Sequence, residues 1–289
     1  MKDASNPSIG FVNIEQKYNS LKSILSSLGK VIVAYSGGVD STFLLKVAVD
    51  TLGPANVLAC ISAGAVEPKH VLDRAGRLAG SFGARLLSID ADELSDPNFS
   101  ANSADRCFHC KSHLCQELLD IAAREGFKHV IFGTNLDDLD DFRPGNRAMK
   151  HFGIRSPLAE AALTKEDIRA LSRQLGLETA DVPASPCLAS RLAYGLEITR
   201  DRLTQVEQAE DFLRTLGFVE FRVRHHGDIA RIEVPAGQIP KLASEPLRSQ
   251  VVEKLRSLGF KFVSLDLKGF TSGSLNESLT PEQKRSALK

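Results

Sequence analysis

Short apolar runs alternate with longer amphipathic stretches through the first half of the chain. Residues 30–35, 57–61, 85–89 and 129–133 are rich in branched apolar side chains and end at a turn or loop residue, the pattern of parallel strands buried on both faces. Between them, residues 41–52, 67–82 and 111–126 carry apolar positions at helical spacing. Strict alternation of strand and helix predicts an α/β fold with a doubly wound parallel sheet. From Ile198 onward the pattern changes: a helix over 200–216, adjacent strands over 219–224 and 229–234 joined tightly through His226-Gly227-Asp228, a helix over 239–258 and a strand over 261–267. That order predicts a smaller C-terminal α+β domain. The expected division is a flexible segment at 1–20, the main α/β domain at 21–190, the α+β domain at 191–275 and a flexible tail at 276–289, because both ends lack a sustained apolar face. The boundary falls in a Pro-rich stretch between Asp181 and Thr199.

Charge narrows the range of functions. The 36 Lys and Arg balance 36 Asp and Glu, which argues against nucleic acid or an anionic membrane as the main partner. Aromatic residues are only 6% of the chain and Trp is absent, so stacking platforms for single strands are not evident either. No apolar run approaches the ~20 residues of a membrane-spanning helix, and the polar start resembles no signal peptide, so a cytoplasmic location is expected. An odd count of five cysteines does not suit a disulfide framework and points to reduced thiols with chemical or metal-binding roles.

The strongest local signal is Tyr35-Ser36-Gly37-Gly38-Val39-Asp40-Ser41-Thr42, placed after a strand and opening a helix. Adjacent glycines let the backbone turn sharply and bring bare N–H groups near an anion, while Ser36, Ser41 and Thr42 add hydroxyls at the positive end of the helix. This is a phosphate cradle, and it is neither a Walker A loop nor the dinucleotide Gly-x-Gly-x-x-Gly. Ser-Gly-Gly-Val-Asp-Ser resembles the PP-loop of the N-type ATP pyrophosphatases. The resemblance implies cleavage of ATP between its α- and β-phosphates, transfer of AMP to a carboxylate, and departure of pyrophosphate with Mg²⁺. Ser36, Gly37, Gly38, Asp40 and Ser41 would hold the pyrophosphate.

Further segments narrow the branch: Arg106-Cys107-Phe108-His109-Cys110-Lys111, Gly133-Thr134-Asn135-Leu136-Asp137-Asp138 with Asp141-Phe142-Arg143-Pro144-Gly145, Ser185-Pro186-Cys187-Leu188-Ala189-Ser190-Arg191, Arg222-Val223-Arg224-His225-His226-Gly227, and Gly269-Phe270-Thr271-Ser272-Gly273-Ser274. In this order they resemble the LarE family, ATP-dependent sulfur transferases that build the nickel-pincer nucleotide of lactate racemase. The resemblance implies a pyridinium mononucleotide bearing two carboxylates as substrate, with one carboxylate adenylated and then converted to a thiocarboxylate. It gives Asp40 and Asp138 roles with Mg²⁺ or the phosphates, Lys111 a charge-neutralising role, and Cys187 the sulfur. Arg222 and Arg224, two apart on a strand and therefore on one face, would take the substrate phosphate, with Glu210 as a further catalytic candidate. Thr271 stands where the family pattern leads one to expect a basic residue, a contact Lys268 could replace. Family resemblance also implies a homo-oligomer and transient contact with other pincer-cofactor proteins.

Each residue also has an ordinary structural reading. Asp137 and Asp138 could cap the following segment, Lys111 could be a solvated charge, and the arginines could lie on the wet face of a ribbon. Scattered histidines, His109, His113, His225 and His226, are seldom ligands. Cys107 and Cys110 form a C-x₂-C pair which, with Cys187, could hold a [4Fe–4S] cluster with one open iron; the alternative is that Cys187 gives up its own sulfur and becomes dehydroalanine. The cluster is the favoured expectation, and zinc with His109 is the rival metal. Cys60 and Cys115 read as apolar fillers. Competing functions are a PP-loop tRNA thiolase, which balanced charge disfavours, an amide-forming synthetase, which leaves Cys187 idle, and a nucleotide-binding module without catalysis.

Overall fold

The computed structural model describes residues 13–139 and 143–288. Within that span the elements run α1 (Ile14–Leu28), β1 (Val31–Ala34), α2 (Val39–Leu52), β2 (Val57–Ser62), α3 (Lys69–Ser81), β3 (Arg85–Ile89), α4 (Pro97–Ser100), α5 (Arg106–Glu125), β4 (His129–Phe132), α6 (Gly145–His151), α7 (Pro157–Glu160), α8 (Lys165–Gln174), α9 (Arg200–Thr215), β5 (Arg222–His226), β6 (Ile229–Glu233), α10 (Ile239–Ala243), α11 (Leu247–Ser257), β7 (Phe262–Leu265) and α12 (Pro281–Ala287).

The first four strands form a parallel sheet in the order β3-β2-β1-β4. One face packs Leu21, Leu25, Phe43, Leu44 and Val47 against the strands, and the other packs Cys115, Leu118 and Ile121 of α5. Chain order reverses between β1 and β4, which opens a crevice at their carboxyl ends, the usual ligand position in such sheets. The second sheet has the order β5-β6-β7, with β5 and β6 antiparallel and β6 and β7 parallel, over a core that includes Phe218, Phe221, Val223 and Leu255. The expected fold, a parallel α/β sheet with a smaller α+β unit, is the one observed. A separate apolar cluster joins Val66 and Phe99 to Leu188, Leu192, Ile198 and Val206, so the chain on either side of residue 190 shares a core.

Several details differ from the sequence expectation. Ile14–Leu28 is a helix with a capping box between Asn13 and Gln16, and Leu21 and Leu25 are buried, so order begins before residue 20. The expected flexible tail contains α12, capped by Thr280 and Gln283, and buries Leu279 and Ala287. Its apolar contacts are too widely spaced to register as a periodic face. The helix expected over 239–258 is two helices, parted at Ser244-Glu245-Pro246, and α5 starts five residues earlier than expected, which places Cys107 and Cys110 on it.

Candidate functional site

The phosphate cradle forms because α2 starts directly at Gly38, its N-cap, leaving the first N–H groups of the helix facing the crevice. Gly37 turns the chain at φ +67°, and any Cβ there would fall 2.7 Å from the Ala75 Cβ on α3. Ser41 Oγ accepts the Ser36 N–H at 3.1 Å and lies 3.0 Å from Ser36 Oγ, bracing the loop across itself. Thr42 does not join them: it is fully buried, with its hydroxyl directed at Tyr35. Gly133 after β4 lets that backbone touch α2, since a Cβ would sit 2.9 Å from the Ser41 nitrogen.

A cavity of about 490 Å³ opens above this loop, lined by Ser36, Gly38, Asp40, Ser41, Asp138 and Lys111 among others. Two carboxylates guard it. Asp40 accepts from Lys165 Nζ at 2.6 Å and from Asn135 Nδ2 at 3.3 Å. Asp138 pairs with Arg143 at 2.8 Å and accepts the Asn135 N–H. Burial raises the Asp138 carboxyl above its ordinary range, and the nearby Asp40 adds to this. Asp137 instead accepts the Lys165 N–H at 2.8 Å, a contact with the first turn of α8 and not the expected cap of the segment that follows it. Asp141 and Phe142 lie outside the described residues.

Helix α5 carries Cys107, Cys110 and Lys111 on one face, three and four residues apart. Lys111 Nζ lies over the Phe132 ring, and Gly145 makes room for its stem, because a Cβ there would meet Lys111 Cγ at 2.9 Å. Cys107 is exposed toward the cavity, while Cys110 and Cys187 pack against the apolar cluster that joins the two halves of the chain. Burial pushes the Cys187 thiol up to about 11, with Cys107 and Glu67 adding to the rise. Cys110 is also pushed up by burial, with Cys187 and Cys107 contributing.

The three sulfurs therefore share one neighbourhood. Among the described residues, however, no group of three or more Cys, His, Asp or Glu side chains is arranged to hold a metal ion. The expected cluster site is thus not preformed, for a physical reason: Cys107 faces the cavity while the other two thiols face the core. His109 pairs with Asp105, His113 with Asp96, and His225 with Gln205, so the histidines are scattered as well.

A second cavity, about 420 Å³, contains Arg222, Arg224, Arg169, Phe270 and Ser272. Arg224 is committed to Glu233 at 2.8 Å, Ser190 O at 3.0 Å and Ser274 Oγ at 3.0 Å. Among the described residues Arg222 donates to the carbonyls of Phe221 and Ala184, forms no ion pair, and stacks on Phe270. Burial, together with Arg191 and Arg224, lowers it to about 10 against the opposing pull of Glu210 and Glu233, so it is a buried cation with no carboxylate in direct contact among the described residues. Lys268 does not replace the basic residue expected at Thr271, because it is exposed and paired with Glu277 at 2.7 Å. Glu210 lines neither cavity; it is fully buried, with both oxygens 3.0 Å from Arg191 nitrogens. Sequence reasoning missed Lys165, Arg169 and Glu67, each lacking a motif of its own and brought in only by tertiary packing.

The two cavities share a wall made of Arg106, Pro186, Ser190 and Asn276. Cys187 follows Pro186 as the N-cap residue of Leu188–Arg191, and its side chain packs behind that wall on the apolar cluster. Residues 13–134 match the family described as NAD synthase. Over 267 residues the chain is 41% identical to the pyridinium-3,5-bisthiocarboxylic acid mononucleotide synthase of Lactiplantibacillus plantarum, covering 92% of this chain and 96% of that protein. The chain belongs to the LarE family. It is an ATP-dependent sulfurtransferase of the PP-loop superfamily. Other relatives include an uncharacterized Synechocystis protein, 41% identical over 92% of this chain and 99% of its own length, and an uncharacterized Methanocaldococcus jannaschii protein, 30% identical over 84% and 91%. No helix among the described residues is long and apolar enough to cross a membrane.

Proposed function

We propose that this LarE protein adenylates one carboxylate of a pyridinium biscarboxylate mononucleotide and converts it to a thiocarboxylate with sulfur from Cys187. The observation that carries this reading is the shared wall: the phosphate cradle opens on one side, the arginine pocket on the other, and Pro186 and Ser190, which bracket Cys187 in the chain, lie on the strip between them. ATP would lie with its β- and γ-phosphates on Ser36, Gly38 and Ser41, and the substrate phosphate would supply the direct anionic contact that Arg222 lacks among the described residues. The substrate carboxylate attacks the α-phosphorus, pyrophosphate leaves, and an acyl adenylate remains. Lys111, with no carboxylate partner among the described residues, offsets charge on the reacting phosphate. Asp40 and Asp138 supply the hard oxygen ligands Mg²⁺ takes when it shares its shell with phosphates, and Mg²⁺ bound there would neutralise the leaving pyrophosphate.

In the second step the Cys187 sulfur attacks the acyl carbon and AMP leaves with the bonding pair. Breaking the Cys187 Cβ–S bond by loss of the α-proton then leaves dehydroalanine and releases the thiocarboxylate. The thiol enters protonated at neutral pH, and its proton must leave as the C–S bond forms. A second reading, sulfur held at a three-cysteine iron–sulfur cluster, has one observation in its favour: Cys107 is close enough to raise both Cys110 and Cys187, and Cys187 to raise Cys110. It requires Cys107 to turn inward.

Pyrophosphate release and thiocarboxylate formation, measured in parallel on Cys187→Ala, test the proposal. Release that depends on the pyridinium carboxylate, with no sulfur product, supports it. Release independent of any carboxylate would remove adenylation from the account, and an amide product formed with ammonia would replace it with the synthetase reading.

A further inference from the structure

Glu210 and Arg191 form the most deeply buried ion pair near the site, each 1% exposed, yet neither lines a cavity. Arg191 uses its whole fork. Nε and Nη2 each donate to a Glu210 oxygen at 3.0 Å, and Nη1 donates to the Cys187 carbonyl at 3.2 Å, to Ser190 Oγ at 3.0 Å and to the Pro186 carbonyl. Glu210 Oε1 in turn accepts the Val223 N–H at 3.2 Å, and Val223 is the residue between Arg222 and Arg224 on β5. A continuous set of hydrogen bonds therefore runs from the backbone on both sides of Cys187, through one guanidinium and one carboxylate, to the backbone of the arginine strand.

We propose that Arg191 and Glu210 are positioning residues for sulfur transfer, a clamp that fixes the Cys187 backbone at a set distance from the Arg222 and Arg224 pocket and leaves the side chain as the moving part. The proposal rests on reading Cys187 as the sulfur donor. Stability alone does not explain the pair, since packed apolar residues of similar volume serve a core as well or better than a buried ion pair. Geometry does explain it: a planar fork can hold two carbonyls and a carboxylate in one plane, and a lysine cannot. Adenylation takes place at the far pole of the site and does not need this distance. Transfer does, because the sulfur must reach an acyl carbon whose position the substrate phosphate sets.

The test is a paired substitution, Arg191→Met with Glu210→Leu, which removes both charges together, and Arg191→Lys, which keeps charge without the fork. In the folded double variant, substrate-dependent pyrophosphate release stays within about threefold of the parent, while thiocarboxylate formation falls by about 100-fold, the cost of misplacing a reacting atom by about 1 Å. Arg191→Lys shows the same split and carries the test if the double variant does not fold. Equal loss of both half-reactions would make the pair merely structural, and unchanged sulfur transfer would remove its role; either result overturns the proposal. Cys187→Ala is run alongside: sulfur product from that variant would overturn the donor assignment itself, whatever the clamp variants do.

Discussion

Burial separates the cysteines more than spacing does. Cys60 and Cys115 are buried in the sheet core, Cys107 is exposed, and Cys187 sits half-buried with its thiol pushed up to about 11. In a pH series with iodoacetamide, peptide mass spectrometry should find Cys107 modified first and Cys187 reacting appreciably only as the pH approaches its raised value, since the thiolate is the nucleophile. Glu67→Gln removes a negative neighbour, so the Cys187 profile should move to lower pH; an unmoved profile would show that Glu67 does not act on the sulfur. Gly133→Ala is a second residue-scale case. The new Cβ meets backbone at the start of α2, where nothing flexible can yield, and pyrophosphate release should fall at least tenfold with a loss of roughly 1–3 kcal/mol in stability, read by denaturant unfolding.

Among the elements, α8 works across both poles. Its Lys165 reaches Asp40 beside the phosphate cradle, and its Arg169, one turn on, lines the arginine pocket. Lys165→Met should lower adenylation about 10- to 100-fold, the worth of a hydrogen bond to a charged group, and Arg169→Met should raise the KM for the mononucleotide while leaving that for ATP in place. Strand β5 carries a pH signature. His225 is buried beside Phe260, and burial, with Arg202, lowers it to about 4. Between that value and ~6.5 the unfolded imidazole binds a proton that the folded one refuses, so stability should fall as pH drops through this window and then level off for this group. His225→Asn should flatten the dependence of melting temperature on pH there. The strands and the cradle were legible in the sequence because continuous apolar runs and adjacent glycines leave local marks. The ends were not: α1 and α12 are held by a few apolar contacts and by side-chain caps, which periodicity does not register.

At the scale of the molecule, the chain on either side of residue 190 shares a core. Leu188, Leu192 and Val206 pack with Val66 and Phe99, and Cys110 and Cys187 lie against that cluster, so these two thiols sit at the core shared by the two halves of the chain. Of the residues the motifs single out, Asp40 and Asp138 line one cavity and Arg222 the other. Glu210, twelve residues before Arg222, lines neither cavity and is paired with Arg191, a partner that sequence position does not reveal. The balanced charge of the chain fits a small nucleotide better than tRNA, and cations line both cavities, Lys111 and Arg143 in one and Arg169, Arg222 and Arg224 in the other. The central claim concerns the origin of the sulfur. Protein purified without air is assayed for iron and sulfide, turned over with ATP, Mg²⁺ and the pyridinium carboxylate, and weighed intact. The account predicts loss of the mass of H₂S, mapped to dehydroalanine at Cys187, in step with thiocarboxylate formed; bound iron with an unchanged polypeptide mass after turnover would contradict it.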